Sequence, residues 1–207
     1  VIETISTSGP TGTADYAVSA DGLLTYFIGT ATTGQTTLAW IDRQGRTTVL
    51  PGQSTGAWGT GRLSPDGRYV ANGISHPEGG RDIWIFDVER GTPTPVTFGE
   101  YNDFPVWTRD SKRIYFGATG DGKNGIYRAP IDGSGKAELV LATKAQPTAE
   151  SVAPNETALL YTEAGEGQGV HIMVVDLVNG TAKGEGRRLH DTKALEVNPQ
   201  FSPDGKW

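Results

Sequence analysis

The sequence has no cysteine, a single methionine and only three histidines in 207 residues. Without cysteine there is no disulfide framework and no thiolate-bound metal. His76, His171 and His190 are far apart and fit no zinc spacing, so surface or structural roles are expected and no metal site is assigned. Long hydrophobic runs are also missing. Stretches such as Ile172-Met173-Val174-Val175 are strand-sized, whereas a bilayer crossing needs about 20 apolar residues, so no membrane insertion of this segment is expected. Lys and Arg total 18 against 24 Asp and Glu, giving a formal net charge of −6 with no basic cluster. Such a surface repels phosphate backbones and argues against a nucleic-acid partner. The opening Val1-Ile2-Glu3-Thr4-Ile5 has neither initiator methionine nor signal-peptide pattern. The closing Phe201–Trp207 stops inside a motif, and both ends are expected to be cut.

Glycine and proline, by contrast, are abundant, at 29 and 12 residues. Many tight turns between short strands follow from that usage. The turns recur in order. Leu63-Ser64-Pro65-Asp66-Gly67 and Phe201-Ser202-Pro203-Asp204-Gly205 are the clearest copies, and Val18-Ser19-Ala20-Asp21-Gly22 is a third. Trp107-Thr108-Arg109-Asp110-Ser111 and Val152-Ala153-Pro154-Asn155-Glu156 are degraded copies. Aligned on the Asp or Asn, positions 21, 66, 110, 155 and 204 are spaced by 45, 44, 45 and 49 residues, the last stretched by Thr181–Gly186. A period of about 40–50 residues made of short strands predicts a β-propeller of four-stranded antiparallel blades. The fold class is therefore all-β, with repeats over 14–50, 58–97, 102–141 and 147–190 in one propeller domain, 195–207 starting a further blade, and an outer strand at 1–5. The turn residues mark geometry: Pro presets φ, Asp bonds nearby backbone and Gly accepts positive φ.

Leu63-Ser64-Pro65-Asp66-Gly67-Arg68-Tyr69-Val70-Ala71 and Asp82-Ile83-Trp84-Ile85-Phe86-Asp87 resemble the repeat of TolB-like propellers. Trp40-Ile41-Asp42-Arg43-Gln44-Gly45-Arg46, Pro95-Val96-Thr97-Phe98 and Phe104-Pro105-Val106-Trp107 add a similarity to the propellers that follow the kinase domain of bacterial membrane serine/threonine kinases. The resemblance implies a ring of about six blades, four of them complete here, and a periplasmic or extracellular location. No kinase motif is present in the chain, and any kinase activity would lie outside it.

Motifs with chemical potential read better as loops. Gly52-Gln53-Ser54-Thr55-Gly56 has the spacing of a nucleophile elbow but no following helix pattern. Gly29–Gly34 has P-loop spacing without the Lys, and Gly133-Ser134-Gly135-Lys136 lies between two strands. Asp121–Gly125 lacks the alternating carboxylates of a calcium loop and reads as a hairpin turn. No catalytic residue and no cofactor is assigned.

The innermost strands of a propeller line its channel, and here those segments precede each Ser-Pro-Asp-Gly turn. They supply a polar rim of Asp15, Tyr16, Trp58, Arg62, Asn102, Asp103, Glu150, Glu196 and Asn198, read as the ligand- or protein-binding residues. Trp58, set among Gly56, Ala57, Gly59, Thr60 and Gly61, is expected at the ring face, stacking on a ligand. A non-catalytic binding or sensing module for a protein or peptide follows, with a small molecule as a second ligand class. Two alternatives stay open. One is the propeller of a prolyl-oligopeptidase-like hydrolase whose catalytic domain lies outside these residues. The other is a self-assembling protein joined through open blade edges.

Overall fold

The computed structural model describes residues 36–52, 55, 56, 58–99, 101–119, 123–164, 169–190 and 195–207, and, before residue 36, the strands Thr7–Ser8, Thr13–Ala14, Tyr16–Val18 and Leu24–Ile28. Four antiparallel units follow one another. The first holds Tyr16–Val18, Leu24–Ile28, Thr36–Ile41 and Thr47–Val49; the second, Trp58–Leu63, Tyr69–Ser75, Arg81–Asp87 and Thr92–Pro95. The third holds Tyr101–Trp107, Arg113–Thr119, Gly125–Pro130 and Glu138–Ala142; the fourth, Pro147–Val152, Ala158–Ala164 and Val170–Val178. These are the blades of an all-β partial propeller. Among the described residues a single parallel pairing, Arg81 with Tyr101, links the second blade to the third.

The fourth blade ends differently from the sequence expectation. Two short strands, Thr181–Ala182 and Arg187–Arg188, both pair with Val170–Val178, where one outer strand over 187–190 was expected. The Asn179-Gly180 dipeptide, both residues at positive φ, closes a tight hairpin that leads into the glycine-rich insertion. Residues 195–207 contain the expected turn but no strand. The outer strand predicted at 1–5 lies outside the described residues.

Blades stack because each middle strand is apolar on both faces. In Arg81–Asp87, Ile83 and Ile85 join Trp107, Ile114 and Phe116 of the third blade, while Phe86 joins Leu38, Leu50 and Trp58 on the opposite side. In Arg113–Thr119, Ile114 and Phe116 face backward and Tyr115 faces forward, onto Leu159, Tyr161 and Val175. The period-2 alternation of a strand thus sends successive residues into two different cores. Burying each of these large side chains stabilises the stack by roughly 1.5–3 kcal/mol.

The recurring turns are built by side chains. Ser64 Oγ donates to Asp66 Oδ1 at 2.6 Å and accepts from the Tyr69 amide, while Asp66 Oδ1 also accepts from the Arg68 amide. Thr108 with Asp110, and Ser202 with Asp204, repeat the arrangement. Gly67 and Gly205 occupy the left-handed position with φ of 73° and 68°. Ser111 and Glu156 hold the same conformation in the degraded copies, at 58° and 56°. Both side chains reach the preceding blade, Ser111 Oγ accepting from the Asp66 amide and Glu156 Oε1 from the Arg109 amide.

Candidate functional site

The inner strands converge on one open cleft of about 360 Å³. Arg62, Val106, Ser151 and Gln200 line it together, each four residues before the turn Asp or Asn of its repeat. Glu150 and Trp107 complete the wall. The inner strands are not regular. Their pairing slips between Trp58 and Gly61, between Asp103 and Val106, and between Ala149 and Ser151, with Phe104 at a φ of 55°. A bulge turns the following side chains relative to the preceding ones, so residues past the slip face the cleft while those before it are turned elsewhere.

Glu150 is the most perturbed group in the cleft. Its side chain is buried; Thr162 Oγ1 donates to its carboxylate at 3.1 Å, and the Asn198 backbone amide is a second donor. Burial nevertheless dominates and pushes its pKa up to about 7, against the weaker pull of these donors and of the Arg62 charge. Gln200 Nε2 donates to the Glu150 carbonyl at 3.0 Å, and the Phe201 amide donates to Ser151 Oγ at 3.1 Å, which fixes the last segment on the fourth blade. Arg62 is anchored through its backbone, its carbonyl accepting from Trp107 Nε1 at 2.8 Å. Among the described residues its guanidinium has no hydrogen bond or ion pair.

The predicted rim residues separate into two groups. Arg62 and Glu150 meet in the cleft, and Asn198 reaches it through its amide. Trp58 does not sit at the ring face. It is 7% exposed, packed with Leu38, Leu50 and Val70 and edge-on to Phe86 at 5.8 Å. The side-chain amide of Asn72 accepts from the Gly59 N–H and donates to the Gly59 carbonyl, holding the slip that follows Trp58. A ligand therefore cannot stack on this indole.

Asn102 and Asp103 are also interior. Asn102 Nδ2 donates to Asp82 Oδ1, which accepts from Thr97 Oγ1 as well, while His76 Nε2 lies 2.9 Å from Asp82 Oδ2. Asp103, 1% exposed, pairs with the Arg81 guanidinium. Burial raises the Asp103 pKa by more than the neighbouring Arg81 lowers it. Two glycines make room for this pair: a Cβ on Gly73 would lie 2.2 Å from Asp103 Oδ1, and one on Gly59 would lie 2.5 Å from Arg81 Nη2. Glu196 accepts from the Ile172 amide through Oε2. Asp15 lies outside the described residues, and only the strand position of Tyr16 is described.

Gln200 and Ser151 are cleft residues that the rim reading missed. Their signal was the repeat offset itself, since both stand where Arg62 stands in its own blade. Among the described residues no group of three or more His, Asp or Glu is placed to hold a metal ion. Gln53 and Ser54 of the elbow-like pentapeptide lie outside the described residues, and Thr55–Gly56 pairs as a strand with Thr36–Thr37. No helix among the described residues is long and apolar enough to cross a membrane. A second cleft of about 580 Å³ between the third and fourth blades is lined by Arg113, Arg128, Asp110 and Glu156. Its best-buried cation, Arg128, is already engaged with Glu138 and the Asn179 carbonyl.

Comparison with known proteins agrees with this architecture. An uncharacterized protein of Agrobacterium fabrum is 30% identical over 122 residues, which cover 58% of this chain and 41% of that protein. The uncharacterized peptidase YuxL of Bacillus subtilis is 33% identical over 152 residues, 70% of this chain and 20% of its own. The chain thus spans about two fifths and one fifth of these two relatives. Among solved structures, a TolB-type protein of Agrobacterium tumefaciens has the same fold, with a TM-score of 0.72 at 21% identity, covering 97% of this chain and 74% of that one. Residues 17–207 match the TolB beta propeller domain, the family to which this chain belongs.

Proposed function

We propose that the chain is a non-catalytic binding propeller whose central cleft receives a segment of another protein, working in the periplasm or outside the cell as part of a longer polypeptide. The supporting observation is the convergence of Arg62 from the second blade, Ser151 from the fourth and Gln200 from the closing segment, with Glu150, on one open polar cleft. Concave sites that set a few polar groups against apolar walls are where ligands bind. Val106, Trp107 and Val152 supply those walls. Selection from a random-peptide display library tests the reading. Selected peptides should bind with micromolar Kd, and Gln200→Trp, which fills the cleft from an exposed position, should weaken them at least about tenfold. Peptides that bind this variant as well as the parent would place recognition elsewhere.

The 33% identity with the YuxL peptidase supports a second reading, the propeller of a hydrolase whose catalytic domain lies beyond these residues. Intact denatured mass and peptide mapping of the natural polypeptide separate the two. An attached α/β-hydrolase segment carrying Ser, Asp and His favours the second, and further blades alone favour the first.

A further inference from the structure

The chemistry of the cleft narrows what it takes. Arg62 brings a guanidinium with no hydrogen bond or ion pair among the described residues into a site whose other ionisable wall is Glu150. The two do not form an ion pair, although both line the same space. A guanidinium whose donors are not hydrogen-bonded is a planar fork that matches a carboxylate better than any neutral group. Gln200, Ser151 and Ser64 stand beside it as polar neighbours on the same wall.

We infer that the cleft binds a carboxylate, held on the Arg62 guanidinium with Glu150 facing it as a carboxylic acid that takes up a proton as the ligand enters. This inference rests on the binding reading above. The carboxylate can come from a peptide C-terminus or from an Asp or Glu side chain, which present the same anion. Two carboxyl groups sharing one site cannot both stay ionised without a large penalty, so the second to arrive raises the pKa of the first. Glu150 enters that competition already raised by burial, to about 7. The elements packed on its strand carry Tyr101 and Asp103, Arg113 and Tyr115, Tyr127 and Arg128, and Tyr161 and Glu163, while Glu196 lies on the closing segment. Of all these and Arg62, only the Arg62 charge acts appreciably on Glu150. The sign is therefore fixed by one pair: an anionic ligand binds best with Glu150 protonated, and its affinity falls as pH rises past 7.

The test compares two pools of random hexapeptides on the full chain, one with free C-termini and with Asp and Glu allowed, the other amidated and free of Asp and Glu. The carboxylate pool should yield binders about tenfold tighter near pH 6 than near pH 8. Arg62→Gln should weaken them at least about tenfold, and Glu150→Gln should flatten the pH dependence. Amidating the C-terminus of a selected peptide, or changing its Asp and Glu to Asn and Gln, identifies which source supplies the anion. Equal binding from the carboxyl-free pool with a neutral Arg62→Gln variant overturns the carboxylate inference and leaves the binding reading standing. Binding from neither pool overturns both. Melting curves confirm folding of each variant, which is expected because the Arg62 guanidinium holds no structural bond and Gln is isosteric with Glu150.

Discussion

The indole Nε1 of Trp107 donates to the carbonyl oxygen of Arg62 at 2.8 Å, across 45 residues and one blade boundary. The bond ties the backbone under the cleft's cation to the aromatic that fills the core between the second and third blades. Asp66 with Ser111 and Arg109 with the Pro154 carbonyl are bridged at the same 45-residue separation. Blades are thus coupled by polar bonds repeated at the period of the sequence as well as by apolar stacking.

Trp107→Phe keeps an aromatic ring but removes the donor. A loss of about 1–3 kcal/mol in urea unfolding is expected from the lost bond and the smaller ring. A change below about 0.5 kcal/mol would mean that the bond does not couple the blades.

The Arg81–Asp103 pair depends on glycine at position 73, where a Cβ would lie 2.2 Å from Asp103 Oδ1. Gly73→Ala is expected to destabilise by about 1–3 kcal/mol through overpacking. Arg81→Met leaves the buried Asp103 carboxyl unpaired and should cost about 3–5 kcal/mol, part of it recovered in Arg81→Met/Asp103→Leu. Chemical denaturation of the three variants checks the order.

Glu150 makes stability depend on pH in a fixed direction. Its folded pKa of about 7 stands above the ordinary 4.5, so the folded state holds an extra proton between those values. Stability is then highest below the unfolded pKa and falls as pH rises to about 7, by roughly 3 kcal/mol for this group alone. Glu150→Gln should remove that slope and be the more stable protein near pH 8. Melting temperatures of parent and variant across this range, with the same slope in both, would contradict the assignment.

Ser111 and Glu156 sit at positive φ where other repeats have glycine. Ser111→Gly and Glu156→Gly relieve about 1 kcal/mol of backbone strain but delete a bond to the preceding turn, so each should be within about 1 kcal/mol of neutral. Ser111→Ala and Glu156→Ala keep the strain, lose the bond and should be less stable than their glycine counterparts. Equilibrium unfolding of the four variants measures the difference.

The blade repeat was legible because both of its signals are local. Apolar runs such as Ile83–Phe86 and turns such as Ser64–Gly67 depend on neighbours within a few residues. The site was legible only in part. Trp58 has small neighbours in sequence and looks exposed, but Leu38 and Leu50 of the preceding blade and Phe86 bury it. Asn102 and Asp103 open an inner strand and look like rim residues, yet their partners Asp82 and Arg81 are found only through strand pairing. The bulges decide which residues turn to the cleft, and nothing in a single strand's polarity announces a bulge. Gln200 was within reach of the sequence, by carrying the Arg62 offset into the last repeat.

Amide chemical-shift mapping with a library-selected peptide tests most directly whether the inner-strand cleft is the binding surface. Binding in the cleft predicts saturable shifts at Arg62, Val106, Ser151 and Gln200, with the outer strand Glu138–Ala142 unmoved. Shifts confined to that outer strand or to the turn at 108–111, with the cleft silent, would contradict cleft binding.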